Sequence, residues 1–180
     1  MEQFPTQKEN VEKPPVLFHA STKNDIETFE PRAETKPAPE DGPAIFATHD
    51  KAYATAFLTK WDDSWVQLSK FNETVVMIIS DHDRFVEADK GGTLYEMPSE
   101  NFENAPLGEN HLEWKSVEKI KPTKATAFTS ALDTMIENGV QVYFVSADEF
   151  KKIKSATNQG LSILKELQSE NQLRGKISSL

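Results

Sequence analysis

Four histidines occur in the 180 residues, and one of them, His19, closes an apolar run in "PPVLFHAST" (14 to 22) just before Ser21. Imidazole exchanges protons near neutral pH and can donate or accept a hydrogen bond. A strand ending on such a residue delivers it to the rim of a pocket; the alternative is a strand terminus whose histidine is satisfied internally. A second cluster, Asp81, His82 and Asp83 in "DHDR" (81 to 84), unites metal-ligating residue types. No distant carboxylate or histidine pair accompanies it, so an exposed turn after a buried strand is the simpler reading, and no metal site is assigned. Other chemistries lack their signatures. The only glycine pair, Gly91-Gly92, is not followed by the Lys-Ser or Lys-Thr of a phosphate loop, and neither Gly-x-Gly-x-x-Gly nor Gly-x-Ser-x-Gly occurs. The chain has no cysteine, which removes disulfides, thiolate catalysis and zinc–sulfur sites.

Composition narrows the partners. There are 29 acidic and 20 basic residues, a formal charge of −9, which argues against stable nucleic-acid binding because phosphate neutralisation needs a basic surface. A small anionic ligand needs only a local pocket of donors. Hydrophobic content of 37%, with eleven Phe and three Trp, supports a folded core, and this length makes one domain the default. No apolar run approaches the roughly 18 residues of a membrane helix, and "MEQFPTQKENVEKPP" lacks the pattern of a signal peptide. The expectation is a cytoplasmic protein with no membrane contact. It has a polar, flexible tail over 1–14, a single domain over 15–173 and a frayed end over 174–180.

The elements that must position these residues follow from periodicity. "VLFHAS" (16 to 21) and "AIFAT" (44 to 48) read as short strands, joined by "KNDIETFEPR", a single turn docked by Ile26 and Phe29, and by the Pro-rich loop 33–43. "HDKAYATAFLTKW" (49 to 61) places Tyr53, Phe57 and Trp61 four apart, one stripe of a helix that Thr48 or Asp50 can cap. "WVQLSKF" (65 to 71) alternates, with Val66, Leu68 and Lys70 on one face, and "ETVVMIIS" (73 to 80) is apolar throughout, as in a strand covered on both sides. "GGTLYEMP" (91 to 98) and "HLEWKSVEKIKP" (111 to 122) are further strands. "TSALDTMIENG" (129 to 139) is a helix capped by Thr129 and stopped by Gly139, then come a strand (140 to 146), a helix bearing Phe150 and Ile153, and a terminal amphipathic helix with Leu161, Leu164 and Leu167. Strands grouped between 43 and 123, with helices mostly after them, define an α+β fold.

Three of these segments, "VLFHAST", "GPAIFATHDKAYATAF" and "LEWKSVEKIKP", in this order, resemble the ADP-ribosyltransferase-like family. Its folds present a strand ending in His-Gly-Thr or His-Gly-Ser, a second strand running into an aromatic-bearing helix, and a late strand with an acid. "TLYEMPSENFENAP" is similar to the segment before the last strand in small bacterial members that modify rifamycins. The resemblance spans roughly 16 to 146 by order of elements. It implies split antiparallel sheets with an inserted helix and C-terminal helices, and NAD as substrate. ADP-ribose would pass to an unknown acceptor, or NAD would be hydrolysed.

By this resemblance His19 bonds the ribose next to nicotinamide, and the backbone of Ala20 and Ser21 holds the carboxamide. Phe46, Tyr53 or Phe57 stacks on the ring. Glu113 orients the ribose and stabilises an oxocarbenium-like centre; in the small antibiotic-modifying members the acid falls earlier, which here is Glu103 or Asn104. Ala20 replaces the family's glycine, a departure that is costly if the position needs positive φ. Arg32 in "FEPR" is a candidate for pyrophosphate. Each residue has a plainer role open to it: the rings as a core stripe, Glu113 as the solvent-facing member of a strand whose Leu112 and Trp114 point inward. A non-catalytic module of the same fold, binding a nucleotide or a protein, is the alternative function. A phosphate-transferring relative acting on RNA needs clustered arginines, and the chain has only Arg32, Arg84 and Arg174.

Overall fold

The structure, a computed structural model, describes residues 12–32, 42–105 and 113–169. Its elements begin with β1 (Val16–Ser21), β2 (Ile45–Thr48), α1 (Lys51–Thr55), β3 (Val66–Phe71), β4 (Thr74–Ile79) and α2 (His82–Ala88). Next come β5 (Gly92–Pro98), β6 (Glu103–Asn104), β7 (Glu113–Ser116) and β8 (Lys124–Phe128). The described chain closes with α3 (Ala131–Glu137), β9 (Gln141–Phe144), α4 (Ala147–Ser155) and α5 (Leu161–Ser169).

Six strands form one sheet in the order β6-β7-β2-β1-β5-β8, and its neighbours all pair antiparallel. The other three form a second sheet, β3-β4-β9, in which β3 and β4 are antiparallel but β4 and β9 run parallel. The expected α+β class holds, with one correction: the smaller sheet is mixed. A long connection separates β4 from β9, which lets two neighbouring strands run the same way.

Packing explains the apolar patterns. Val75, Met77 and Ile79 of β4 pack with Phe85, Met135 and Val142. Val76 and Ile78, pointing the other way, pack with Phe150 and Ile153 of α4 and Leu164 of α5. Covered on both faces, β4 has no need of alternation. One face of the larger sheet buries Leu17, Ile45, Tyr95 and Trp114 against Phe29 and Ile120. Over the opposite face, Ala54 and Leu58 meet Leu94 and Ala131, with Phe18 and Ala20 alongside.

Several local expectations need correction. The helix expected over 49–61 ends at Thr55, because Phe57 and Leu58 donate three residues back, to Ala54 at 3.1 Å and Thr55 at 3.1 Å. Even so, the rings stay in sequence, with centroids 5.5 Å apart for Tyr53–Phe57 and 5.4 Å for Phe57–Trp61. Asp50 caps α1, accepting from the Tyr53 N–H at 3.1 Å, while the Thr48 hydroxyl accepts from Asp50 N–H at 3.1 Å. Segment 23–32 is docked by Ile26 and Phe29 as expected, and Phe29 adds backbone bonds of 2.8 and 3.0 Å with Ile120. "DHDR" is no loose turn but the start of α2, where the Asp81 carboxylate accepts from the Arg84 N–H at 3.0 Å. Ser130, not Thr129, caps α3, helped from outside by Asp89, which accepts from the Ala131 and Leu132 N–H groups at 2.6 and 3.1 Å. β8, in "KATAF", has no signal in apolar patterning. Residues 1–11, loop 33–41, Leu112 and the end assigned to 174–180 lie outside the described residues, as does the side chain of Leu167. Among the described residues no helix is long and apolar enough to cross a membrane.

Candidate functional site

Six residue pairs join β1 to β5, whereas a single pair, Phe18 with Thr48, joins β1 to β2. Beyond that pair the two strands part. A cavity of about 500 Å³ opens there, lined by the consecutive residues Phe18 to Ser21 of β1, by Thr22 just after it, and on β2 by Phe46, Ala47 and Thr48. A pocket lying on one face of a sheet would touch alternate residues. Unbroken lining means that this one opens onto the facing strand edges. Its volume falls within the roughly 300–1,000 Å³ typical of small-molecule sites.

Seven of the residues that the sequence singles out line this cavity. His19, Ala20 and Ser21 line it from β1, Phe46 from β2, Tyr53 and Phe57 from α1 and the turn after it, and Glu113 from β7. Glu103 and Asn104 sit on the outer strand β6, paired with Lys115 and Trp114, and do not line it. Neither does Arg32, whose backbone is bridged to Ala44.

His19 is held on both sides. Its Nδ1 lies 2.6 Å from the Phe46 carbonyl, and since a carbonyl only accepts, Nδ1 carries the hydrogen and Nε2 remains an acceptor. Burial, opposed by that bond and aided by the nearby Arg32 charge, lowers its pKa from the ordinary 6.5, so the ring is neutral. Edge-on contact with Phe29 at 4.8 Å fixes its plane. The imidazole thus replaces the missing pairing between β1 and β2.

Glu113 stands at the start of β7 opposite Thr48. It is half-buried, and burial pushes its carboxyl above the ordinary 4.5. Among the described residues no cation or hydrogen-bond donor meets this carboxylate. The neighbouring Tyr53 phenol is pushed up to about 12 by burial and by the charges of Glu113 and Asp50. Tyr53 is therefore neutral across the physiological range, and its ring belongs to the wall rather than to proton transfer. An uncompensated acid beside aromatic faces favours a cation, or a centre that becomes cationic.

Ala20 carries no strain. The described non-glycine residues with left-handed backbone are Asp25, Asn72, Asn158 and Gln159, so the methyl group there faces no penalty of the kind a glycine would relieve. Sequence reasoning did not assign Phe18, Thr22, Ala54, Thr59 or Lys60, which also line the cavity. Phe18 and Thr22 flank the His19 motif and were within reach of it; Lys60 has no local signal. Among the described residues no group of three or more His, Asp or Glu is placed to hold a metal ion. Neither a family model nor a curated protein nor a solved structure matches this chain.

Proposed function

We propose that this cavity binds NAD and that the chain is an ADP-ribosyltransferase-like protein, transferring ADP-ribose to an acceptor or to water. One observation carries the reading: Glu113, whose carboxylate meets no cation or donor among the described residues, lines one cavity with the neutral His19 and four aromatic residues, although 94 positions separate the histidine from the acid. In this reading the pyridinium ring lies against Phe46, Tyr53 or Phe57. His19 Nε2 accepts from a ribose hydroxyl, and the backbone at Ala20 meets the carboxamide.

Chemistry follows from charge. As the glycosidic bond breaks, its electron pair passes to the ring nitrogen and leaves neutral nicotinamide. Positive charge then moves onto the ribose, where ionised Glu113 is worth on the order of 3 kcal/mol to the transition state. The acceptor's nucleophilic atom, or a water oxygen, forms the new bond and gives up its proton. Because burial raises the pKa of Glu113, activity should rise with pH through a midpoint above the ordinary carboxylate value.

Incubation with NAD, with release of nicotinamide as the readout, tests the proposal. Release by wild type, lost in Glu113→Gln with NAD affinity retained, is the expected result. Binding without release by wild type would favour the non-catalytic module, and wild-type behaviour of Glu113→Gln would remove the acid from its role. Phe46→Ala and Tyr53→Ala, compared for NAD affinity, identify the stacking ring.

A further inference from the structure

The cavity carries opposite charges at its two ends. Glu113 belongs to one end, across from Thr48, which pairs with Phe18. Ser21 lies three residues further along β1, about 10 Å at 3.3 Å per residue. At that second end, a first side-chain carbon on Gly92 would meet the Ser21 carbonyl at 2.6 Å and the Leu58 carbonyl at 2.9 Å. Both carbonyls therefore crowd one side of Gly92, and the turn carrying Thr59 and Lys60 lies beside Ser21 and Thr22. Gly92 is what permits this approach.

Lys60 is exposed and lines the cavity. In a chain of charge −9, Lys70, Lys119, Lys124 and Lys151 each pair with an acid, whereas no ion pair engages Lys60 among the described residues. The Ser21 hydroxyl accepts the Lys23 N–H at 3.0 Å, which leaves its own hydrogen to donate. Burial alone raises Glu113, so Lys60 does not neutralise it. One end thus offers donors and positive charge, the other negative charge.

We propose that the Ser21–Lys60 end is an anion subsite that takes the diphosphate of the dinucleotide, with Lys60 setting the preference for phosphorylated ligands. This rests on the NAD reading above and assigns the phosphate contact to Lys60 in place of Arg32.

Calorimetric titration of the full chain with three probes tests it: NAD, nicotinamide riboside (the head without phosphates) and ADP-ribose (the phosphates without the head). Lys60→Met should weaken NAD and ADP-ribose about tenfold, as expected for one charge-assisted bond, and leave the riboside unchanged. Lys60→Arg should restore most of the loss, and added salt should shrink it. Lys60→Met that binds NAD and ADP-ribose like wild type overturns the subsite, as does an equal loss for the riboside, or a wild type that binds neither phosphate ligand. A Lys60-dependent wild type that prefers ADP-ribose to NAD would sustain the subsite while sinking the nicotinamide reading, so the two failures are distinguishable. Lys60 is exposed, and its substitution does not threaten the fold.

Discussion

In the smaller sheet, β4 sends Val75, Met77 and Ile79 into one core and Val76 and Ile78 into another, and the charge beside it is matched. Lys70 of β3 meets Asp50 at 2.8 Å with both side chains almost covered. In the larger sheet, β7 does the reverse with two successive residues. Among the described residues, Glu113 faces the cavity without a cation, and Trp114 buries its indole nitrogen without a hydrogen-bond partner, as Asn104 does its amide nitrogen. One region has its buried polar groups compensated and supplies stability. The other leaves polar groups unmatched at a free-energy cost, and of the three only Glu113 lines the cavity, where a ligand can reach it. On the proposed function, stability and binding fall to different sheets, tied together at α1, whose cap Asp50 is also the partner of Lys70.

Substitutions can break or sharpen this contrast. Ile78→Ala, a fully buried truncation, should cost about 4 kcal/mol in denaturant unfolding while leaving the cavity's chemistry per folded molecule unchanged. Lys70→Met strands a nearly buried carboxylate and should cost about 3 kcal/mol. Because Asp50 also caps α1, it should weaken NAD binding too. A loss of stability with no change in affinity would show that the two sheets act independently.

Glu113→Gln should lower nicotinamide release by about 100-fold yet not destabilise the fold. The sign follows from burial. The folded-state pKa of Glu113 is raised above 4.5, so the unfolded chain releases this proton first, and wild type loses stability relative to the variant as pH rises past that value. A variant less stable than wild type at neutral pH would show that Glu113 has a partner in the fold. His19 runs the other way: its pKa is lowered from 6.5, so its contribution to stability is complete above that value and declines as pH falls below it. His19→Gln should flatten that acid limb. The smallest effect belongs to Trp114→Phe, which removes an unpaired buried donor and should change stability by less than about 1 kcal/mol, against the 3 or more usual for truncating a buried Trp.

Much of this was legible along the chain. The apolar run of β4 announced a strand covered on both faces. Phe150, Ile153 and Leu164 are buried where their spacing placed them. Less legible was β8, whose Lys124, Ala125 and Ala127 are exposed, so pairing with β5 is held mainly by backbone bonds. The end of α1 was also hidden, since the aromatic spacing persists through turns that are no longer α-helical. Lys60 lay beyond sequence reasoning altogether, because its place at the cavity depends on Gly92 admitting a distant turn.

From the sequence alone came the residue types: an imidazole at a strand end, rings four apart, an acid in a late strand. Their meeting was a tertiary matter. Alternation sets His19 on the side of Tyr95 and Glu113 on the side of Thr48, opposite faces of one sheet, which by local rules should keep them apart. They share a cavity because β1 and β2 separate after one residue pair and both groups reach the resulting edge. Periodicity records which face a side chain takes, but where two strands part is decided by packing between segments far apart in the chain.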